Sequence, residues 1–432
     1  MWLSFARALG RLAICRMNPA THVTEGIDSA PRRNSERVTF IWFLSFYFLQ
    51  NFAQGVFPPL LPQIMQGLKL SFASAGLLGA SFGVARSVVD VPAGILAERV
   101  GIARIFHTGL GLVLLGTCLS AMAESLFMML LGRGLVGLGS GMSVVVAMVY
   151  LMRRAPADQR TRWGNLYEVA VIGGMAVSAQ FGGMIAAWKS WRWSFVMAAV
   201  VLLLAWAVAA LRVVPGIQGV LDDQAPLPSD SSRGAYLPVG AGVASIYFMF
   251  FGLAFTWGGG ISTLLPLYGG SQLMLSPEVI GRTMAIAFAI EVCLLFPAGW
   301  ASDVLGKVRV LIPGLLVMMA GTILVPFAGG VFAYTVAFSL VVAGMSVWMI
   351  PPALLAERMP SGFRGKSAGL YRLITDLGMI TGPSLIGFLI EQWGFRMGLA
   401  ALAVILALSV CLSATLLPRF SARHDRRGRM RA

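Results

Sequence analysis

Two stretches of this 432-residue chain decide its fold: PAGILAERVGIAR at residues 92–104 and PAGWASDVLGKVR at residues 297–309. Each runs from Pro-Ala-Gly through an acidic residue and a second glycine to an arginine, at an offset of 205 residues. An offset of 204 or 205 also relates Leu60-Leu61-Pro62 to Leu264-Leu265-Pro266, Leu166-Tyr167 to Leu370-Tyr371, and Arg192 to Arg396. This regularity indicates an internal repeat, so we expect two copies of one architecture.

The residues around these stretches are too apolar for a soluble protein. Hydrophobic residues make up 57% of the chain and charged residues 12%, whereas about a quarter of a soluble domain is charged. Because about 20 apolar residues span a bilayer as a helix, we expect an all-α integral membrane protein with twelve transmembrane helices in two pseudo-symmetric six-helix bundles. The helices are predicted near residues 38–61, 71–96, 105–123, 125–149, 163–186, 193–213, 240–268, 276–300, 309–328, 331–355, 366–389 and 394–417.

The longest polar gap lies between the two predicted bundles and is rich in aspartate and proline, which is typical of a flexible linker. We therefore expect an N-terminal tail at 1–37, an N-terminal bundle at 38–213, a linker at 214–237, a C-terminal bundle at 238–417 and a basic tail at 418–432. We also expect the protein to be a monomer. Both tails and the linker are predicted to be cytoplasmic.

The net charge of +15 indicates an orientation in the membrane. With both termini inside, the cytoplasmic segments hold 25 of the 33 lysine and arginine residues and the outer loops hold five. This asymmetry follows the positive-inside rule and predicts a multi-pass protein of a bacterial inner membrane. We expect the basic residues to contact anionic lipid headgroups. We expect no nucleic-acid partner, and the Arg-rich segment 419–431 is the one place that keeps this alternative open.

The sequence lacks the signatures of several other classes of protein. None of the four cysteines forms a C-x-x-C pair, so we predict no metal site, no disulfide and no cofactor. No nucleophile motif and no G-x-x-x-x-G-K-[ST] occurs, which argues against an enzyme and against an ATP-driven pump. Arginines interrupt the apolar residues at the start of the chain, so this segment does not form a signal peptide. Two interpretations remain for residues 1–16: translation starts at Met17, or these residues form an amphipathic segment that lies on the membrane.

The two quoted stretches resemble the loop signature of the major facilitator superfamily, which occurs in both halves of these transporters. The resemblance implies a cytoplasmic latch, in which a carboxylate near arginines holds one face closed. The first copy departs from the pattern with Glu98 in place of aspartate and Ile102 in place of a basic residue, and Val304 replaces the basic residue of the second. The expected latch residues are Gly94, Glu98, Arg99, Gly101, Arg104, Gly299, Asp303, Gly306, Lys307 and Arg309.

Glycine patterns in three helices extend this resemblance. The stretch RGLVGLG at 133–139 is similar to the helix-four motif of the family, whose arginine is linked to proton coupling. GMAVSAQFGG at 174–183 and GMITGPSLIG at 378–387 resemble the antiporter signature of the drug–proton exchange branch. The helix-five copy lacks the proline and has Ser178 where the signature has its second glycine. Close packing of small residues therefore remains an equal alternative for both copies.

Away from the helix ends, seven ionisable residues fall inside the predicted helices, where each is costly unless it is paired or faces a cavity. We predict that they form the site of solute binding and proton coupling: Arg86, Asp90, Arg133, Glu168, Glu291, Arg372 and Asp376. Two arginine–aspartate pairs among them are spaced by one helical turn and can form ion pairs.

The repeat aligns Arg86 with Glu291, and Glu168 with Arg372, so equivalent positions carry opposite charges. We infer ion pairs that form and break across the pseudo-twofold axis. A proton-coupled carrier needs a carboxylate that protonates, and burial favours the neutral form of a carboxylate. Because Glu291 has no arginine one turn away, we favour it as the proton site. For Asp90 we favour a static ion pair.

A polar patch in the first predicted helix comprises Gln50, Asn51 and Gln54, and Trp257 precedes three glycines in the seventh. We expect these residues to line a central cavity, and amides beside aromatic rings suit an organic solute of moderate polarity. The resemblance implies proton-coupled export of a small organic solute by alternating access. Proton-coupled uptake of an organic anion, for which the central arginines are suited, and a non-transporting membrane scaffold are the alternatives.

Overall fold

The computed structural model describes the backbone of residues 29–100, 102–155, 160–216, 240–360 and 363–429. Within these ranges, the side chains of 29–35, 90–100, 102, 152, 160–161, 364–365 and 418–429 are not described. The predicted linker from residue 217 onward and the N-terminal tail up to residue 28 also lie outside the described residues. The chain separates into two compact units, Met1–Ile41 and Trp42–Ala432, and the packing given below is that of the second.

The first group of helices, called the N-half here, comprises α1 (Ser29–Gln50), α2 (Phe52–Gly55), α3 (Phe57–Gly67), α4 (Phe72–Val100), α5 (Ile102–Ala121), α6 (Leu126–Arg154), α7 (Arg160–Trp188) and α8 (Trp191–Val208), which continues as a π-helix over Ala209–Val213. The second group, the C-half, comprises α9 (Ala241–Phe255), a π-helix (Thr256–Leu264), α10 (Leu265–Ser271), α11 (Pro277–Leu305), α12 (Lys307–Leu324), a 3-10 turn (Val325–Phe327), α13 (Val331–Gly344), a 3-10 turn (Met345–Val347), α14 (Ile350–Arg358), α15 (Arg364–Trp393) and α16 (Phe395–Arg429).

The described residues are helical and contain no strand, which confirms the all-α prediction. Eleven helical stretches among them are long and apolar enough to cross a membrane. The first predicted span, 38–61, is not one of the eleven because it is divided into α1, α2 and α3. Pro58 and Pro59 stand at the start of α3, and proline has no backbone N–H to continue a helix. Pro351 and Pro352 likewise stand where α14 begins after the 3-10 turn.

Local signals in the sequence explain where several helices begin and end. Ser125 caps α6 by accepting a hydrogen bond from Met128 N. Ser276 caps α11 in the same way, and Pro277 follows at the first helical position, where it is favoured. The chain turns between consecutive helices at Gly306 (φ +95°) and Gly394 (φ +79°), backbone conformations that favour glycine.

Helices pack in the same pattern within the two halves. In the N-half, α5 packs on α6, α4 on α6, and α5 on α8. In the C-half, the repeat-related helices make the same contacts: α12 on α13, α11 on α13, and α12 on α16. The two most extensive contacts between the halves are those of α4 with α15 and of α7 with α11, and the repeat exchanges one with the other.

The contact between α7 and α11 is called a seam here. The two helices approach most closely at the end of the bundle that the sequence predicts to face outward, which is called the outer end. A Cβ on Gly183 would overlap the carbonyl oxygen of Pro277, and one on Gly281 would overlap that of Ala179. Near the predicted cytoplasmic end, a Cβ on Gly299 would meet the nearest atom of its surroundings only at 3.6 Å. The two helices are therefore in backbone contact at the outer end.

The seam between α4 and α15 has the same construction. A Cβ on Gly76 would overlap the carbonyl oxygen of Pro383, and one on Gly387 would lie 2.6 Å from that of Phe72. Such approach of two helix backbones is typical of small-residue interfaces in membranes. The two seams together close the outer end of the bundle.

We predict that Gly183→Ala lowers the free energy of unfolding by about 1–3 kcal/mol, because the new methyl forces the helices of this seam apart. Gly173→Ala is the matched control on the same helix, since its Cβ would meet Phe48 at an ordinary 3.5 Å. The control should be neutral or stabilising by up to about 1 kcal/mol, from helix propensity. Thermal unfolding midpoints of the purified variants measure both effects, and equal midpoints would contradict the prediction.

Candidate functional site

A cavity of about 200 Å³ lies between the N-half and the C-half. It is lined from both sides, by α1, α2, α4, α6 and α7 of the N-half and by the π-helix, α11, α15 and the 3-10 region after α13 of the C-half. Its polar and aromatic lining residues are Tyr47, Gln50, Asn51, Gln54, Arg86, Ser140, Ser143, Tyr167, Glu168, Trp257, Glu291, Trp348, Tyr371, Arg372, Thr375 and Asp376.

Five of the seven predicted coupling residues line this cavity: Arg86, Glu168, Glu291, Arg372 and Asp376. They come from four helices that are distant in sequence, and both members of each repeat-related pair are present. Arg133 lies in a separate, smaller cavity. The side chain of Asp90 is outside the described residues, so its predicted pairing with Arg86 stays a prediction.

The charges in the cavity influence one another across the two halves. The positive charge of Arg86 acts on Glu168, and Glu168 in turn acts on Glu291 of the C-half. Glu291 is only 3% exposed, and its Oε2 has no hydrogen-bond partner. A buried oxygen left without a donor is costly. Glu291 is therefore placed to take up a proton or a cationic group of a solute.

The predicted amide patch lies where the first helix is interrupted. Asn51 stands between α1 and α2 and donates from Nδ2 to Tyr47 O at 2.7 Å. The buried Oε1 of Gln50 and Oδ1 of Asn51 have no hydrogen-bond partner, while Gln54 Nε2 reaches Ser140 Oγ at 3.5 Å. These amide oxygens give the cavity unsatisfied acceptors for a polar solute group.

The cavity also contains residues that the sequence reasoning did not select. Five methionines line it: Met148, Met175, Met345, Met349 and Met379. The sequence contains 23 methionines, so nothing in it distinguished these five as cavity residues. Tyr167 and Tyr371 could have been predicted, because the repeated Leu-Tyr pair precedes a charged residue in both halves. A lining of methionine and aromatic side chains can adapt to ligands of different shapes.

The antiporter-like stretch of α7 packs against the interrupted first helix. The backbone of Gly174 lies against that of Phe48, so that a Cβ would overlap Phe48 O. Ser178, at the position where the signature has glycine, donates from Oγ to Phe52 O at 2.7 Å. The departure from the signature therefore adds a buried hydrogen bond to the start of α2.

The described part of the predicted latch makes its contacts within the C-half. Lys307 Nζ forms an ion pair with Glu357 Oε1 at 2.6 Å, and Arg309 Nη1 donates to Leu305 O at 3.4 Å. Asp303 and Arg104 are exposed. The side chains of Glu98 and Arg99, with Gly94 and Gly101, lie outside the described residues. A latch that joins the two halves stays a prediction.

Comparison with known proteins identifies relatives over most of the chain. The Major Facilitator Superfamily profile matches residues 43–273 and 244–430. "Multidrug resistance protein 2" of Bacillus subtilis is 23% identical over 371 residues, which cover 83% of this chain and 90% of that protein. "Putative multidrug resistance protein MdtD" of Escherichia fergusonii is 27% identical over 176 residues, which cover 40% of this chain and 37% of that protein.

We predict that Ser178→Ala lowers the free energy of unfolding by about 1 kcal/mol, the usual net value of a buried hydrogen bond. Ser384→Ala is the control in the other antiporter-like stretch, because its hydroxyl bonds only to Ile380 O of its own helix. The control should change the free energy of unfolding by less than about 0.5 kcal/mol. Thermal unfolding of both variants tests this, and an unchanged Ser178→Ala midpoint would show that the bond does not contribute.

Proposed function

Because this chain belongs to the major facilitator superfamily, we propose that it is a secondary transporter that exports a small organic solute in exchange for protons. Members of this family are non-enzymatic, multi-pass membrane carriers. The observation that carries the proposal is one cavity between two repeat-related halves, to which both halves contribute charged residues. A central site at such an interface is typical of transporters with internal repeats.

The chemistry of the cavity supports a partly apolar organic solute. Methionine and aromatic side chains supply adaptable apolar surface, while the free amide oxygens and three carboxylates offer acceptors for a donor or a positive charge. The names of the relatives refer to multidrug resistance, and a membrane carrier supports resistance when it removes a toxic solute from the cell. These two arguments favour export of small, chemically varied solutes.

Glu291 is the residue that we assign to proton coupling. It is the buried carboxylate without a donor at Oε2, and Glu168 lies close enough to influence its charge. Two neighbouring carboxylates in a desolvated site favour one shared proton. A cationic solute group and a proton would then compete for the same acidic pair, which links solute release to proton uptake.

Alternating access is supported by the contrast between the two ends of the bundle. The outer end is closed by the two glycine seams and by Glu391 of the C-half, whose Oε2 accepts a hydrogen bond from Ala73 N at 2.7 Å. This carboxylate caps the first turn of α4 in the N-half, where a negative charge is favourable. The rings of Phe72 and Phe395 pack beside it with centroids 5.3 Å apart. We propose that these contacts hold one state of the cycle, and that the halves rock about the central cavity so that the outer end opens in the other state.

We place the protein in a bacterial inner membrane as a monomer, with both termini in the cytoplasm and basic residues against anionic headgroups. Uptake of an organic anion is the second candidate, and one observation favours it. Arg86 lines the cavity, and its buried Nε has no hydrogen-bond partner. A carboxylate of a solute would satisfy that donor.

Transport by purified protein in liposomes with an imposed pH gradient separates these functions. Exchange of protons for solute predicts that a fluorescent organic cation such as ethidium accumulates in the acidic compartment, and that collapsing the gradient abolishes accumulation. Accumulation of labelled benzoate in the alkaline compartment beyond that in protein-free liposomes, with no movement of organic cations, would instead support anion uptake. Movement of neither class across a broad panel of solutes would favour a scaffold.

We predict that Glu291→Gln lowers gradient-driven accumulation at least tenfold, because the amide cannot exchange a proton. Solute exchange between equal concentrations, without a gradient, should persist because the cavity keeps its shape. Glu278→Gln is the matched control, an exposed residue in the first turn of the same helix α11, and should behave like the parent. Accumulation by Glu291→Gln at the parental rate would remove this residue from the coupling mechanism.

We predict that Glu391→Gln weakens closure of the outer end, because a neutral amide is a poorer acceptor for the first turn of α4. Spin labels at the outer loops of the two halves, replacing Met122 and Gln272, should show a larger population of long distances. Gln392→Ala, an exposed neighbour, serves as the control and should match the parent. An unchanged distance distribution in Glu391→Gln would show that the cap does not hold the halves together.

A further inference from the structure

Arg133 occupies an unusual position for a charged side chain. It lies on α6 and is only 6% exposed. Its guanidinium carbon stands 3.9 Å from the ring centroid of Phe57 and 5.2 Å from that of Phe82. The two rings cover the guanidinium and offset part of its desolvation through cation–π attraction.

The hydrogen-bonding capacity of this side chain is unused. Nε and Nη1 of Arg133 are buried and have no hydrogen-bond partner. None of the described residues that line the cavity beside the guanidinium is acidic. A buried charge with neither counter-ion nor hydrogen bonds is strongly unfavourable, so the site calls for a negatively charged group that the described residues do not provide there.

A small cavity lies directly against Arg133. Its volume is about 30 Å³, and its lining includes Gln54, Ser262 and the two phenylalanines. Gln54 and Trp257 line both this cavity and the large one, so the two spaces are neighbours. By this measure one water molecule needs roughly 10–15 Å³, so the cavity suits a single compact ion or a carboxylate head and is too small for a bulky solute.

We propose that this small cavity is an anion subsite, in which Arg133 binds a compact anion: a free halide or the carboxylate group of a small organic acid. An anion supplies both the missing counter-charge and acceptors for Nε and Nη1, whereas water supplies only acceptors. Gln54 and Ser262 also line this cavity, and their amide and hydroxyl groups can act as further hydrogen-bond donors. This subsite is separate from the acidic groups of the large cavity.

Thermal unfolding of the purified full-length protein tests the subsite, with chloride, formate and gluconate compared at equal ionic strength. Gluconate is too large for the cavity and sets the baseline. Because a ligand stabilises the state that it binds, chloride or formate should raise the unfolding midpoint by about 2 °C or more. Stabilisation by chloride alone identifies a free halide, and stabilisation by formate identifies a carboxylate group. The same midpoint in all three salts overturns the proposal.

Variants link the effect to this residue. Arg133→Gln should abolish the difference between salts, and Arg133→Lys should retain it at a higher anion concentration. Arg282→Gln, an exposed arginine on α11, is the control and should keep the parental salt response. If Arg133→Gln fails to fold, bromide in crystals of the parent decides: an anomalous peak at the guanidinium supports the subsite, and peaks confined to the surface, an adventitious ion only, overturn it.

Discussion

At the outer end of the bundle, helices from the two halves touch through their backbones, and the position of every cavity residue depends on that contact. Neither Gly183 nor Gly281 leaves room for a Cβ between α7 and α11, and the α4–α15 seam repeats the arrangement. Two such seams, related by the internal repeat, hold the halves together at one end in the state that the structure shows. The cavity with its charged residues lies further along the same helices.

Burial explains why those charges are gathered in one place. They lie on α4, α7, α11 and α15, and these helices also have surface outside the cavity. A charge that faced lipid there would be costly, whereas the cavity offers polar partners. Glu168 interacts with Arg86 and with Glu291, so a proton or solute that changes the charge of Glu168 changes the energy of the other two.

The sequence predicted the all-α class and most of the cavity because repeats and rare intramembrane charges are strong signals. Glu291 was found as an intramembrane charge and Gln50 as part of a polar patch, and both line the cavity. The division of the first helix was not predicted, because Pro58 and Pro59 lie inside an otherwise continuous apolar run. A pattern of apolar residues does not show that proline lacks the backbone N–H that a helix needs. The contact of Glu391 with Ala73 was not predicted either, since a pairing 318 residues apart depends on how the halves meet.

The departure at Ser178 connects the antiporter-like stretch to the solute cavity. The interruption of the first helix turns the amides of Gln50 and Asn51 toward the cavity, and Ser178 fastens the next turn through Phe52 O. Glycine at this position would allow the same approach of the helices but would leave the turn without that bond. Because α1, α2 and α7 belong to the same half, the proposed rocking of the halves would not strain the contact. The amide patch would then keep its shape in both orientations, while the carboxylates of the other half approach and withdraw.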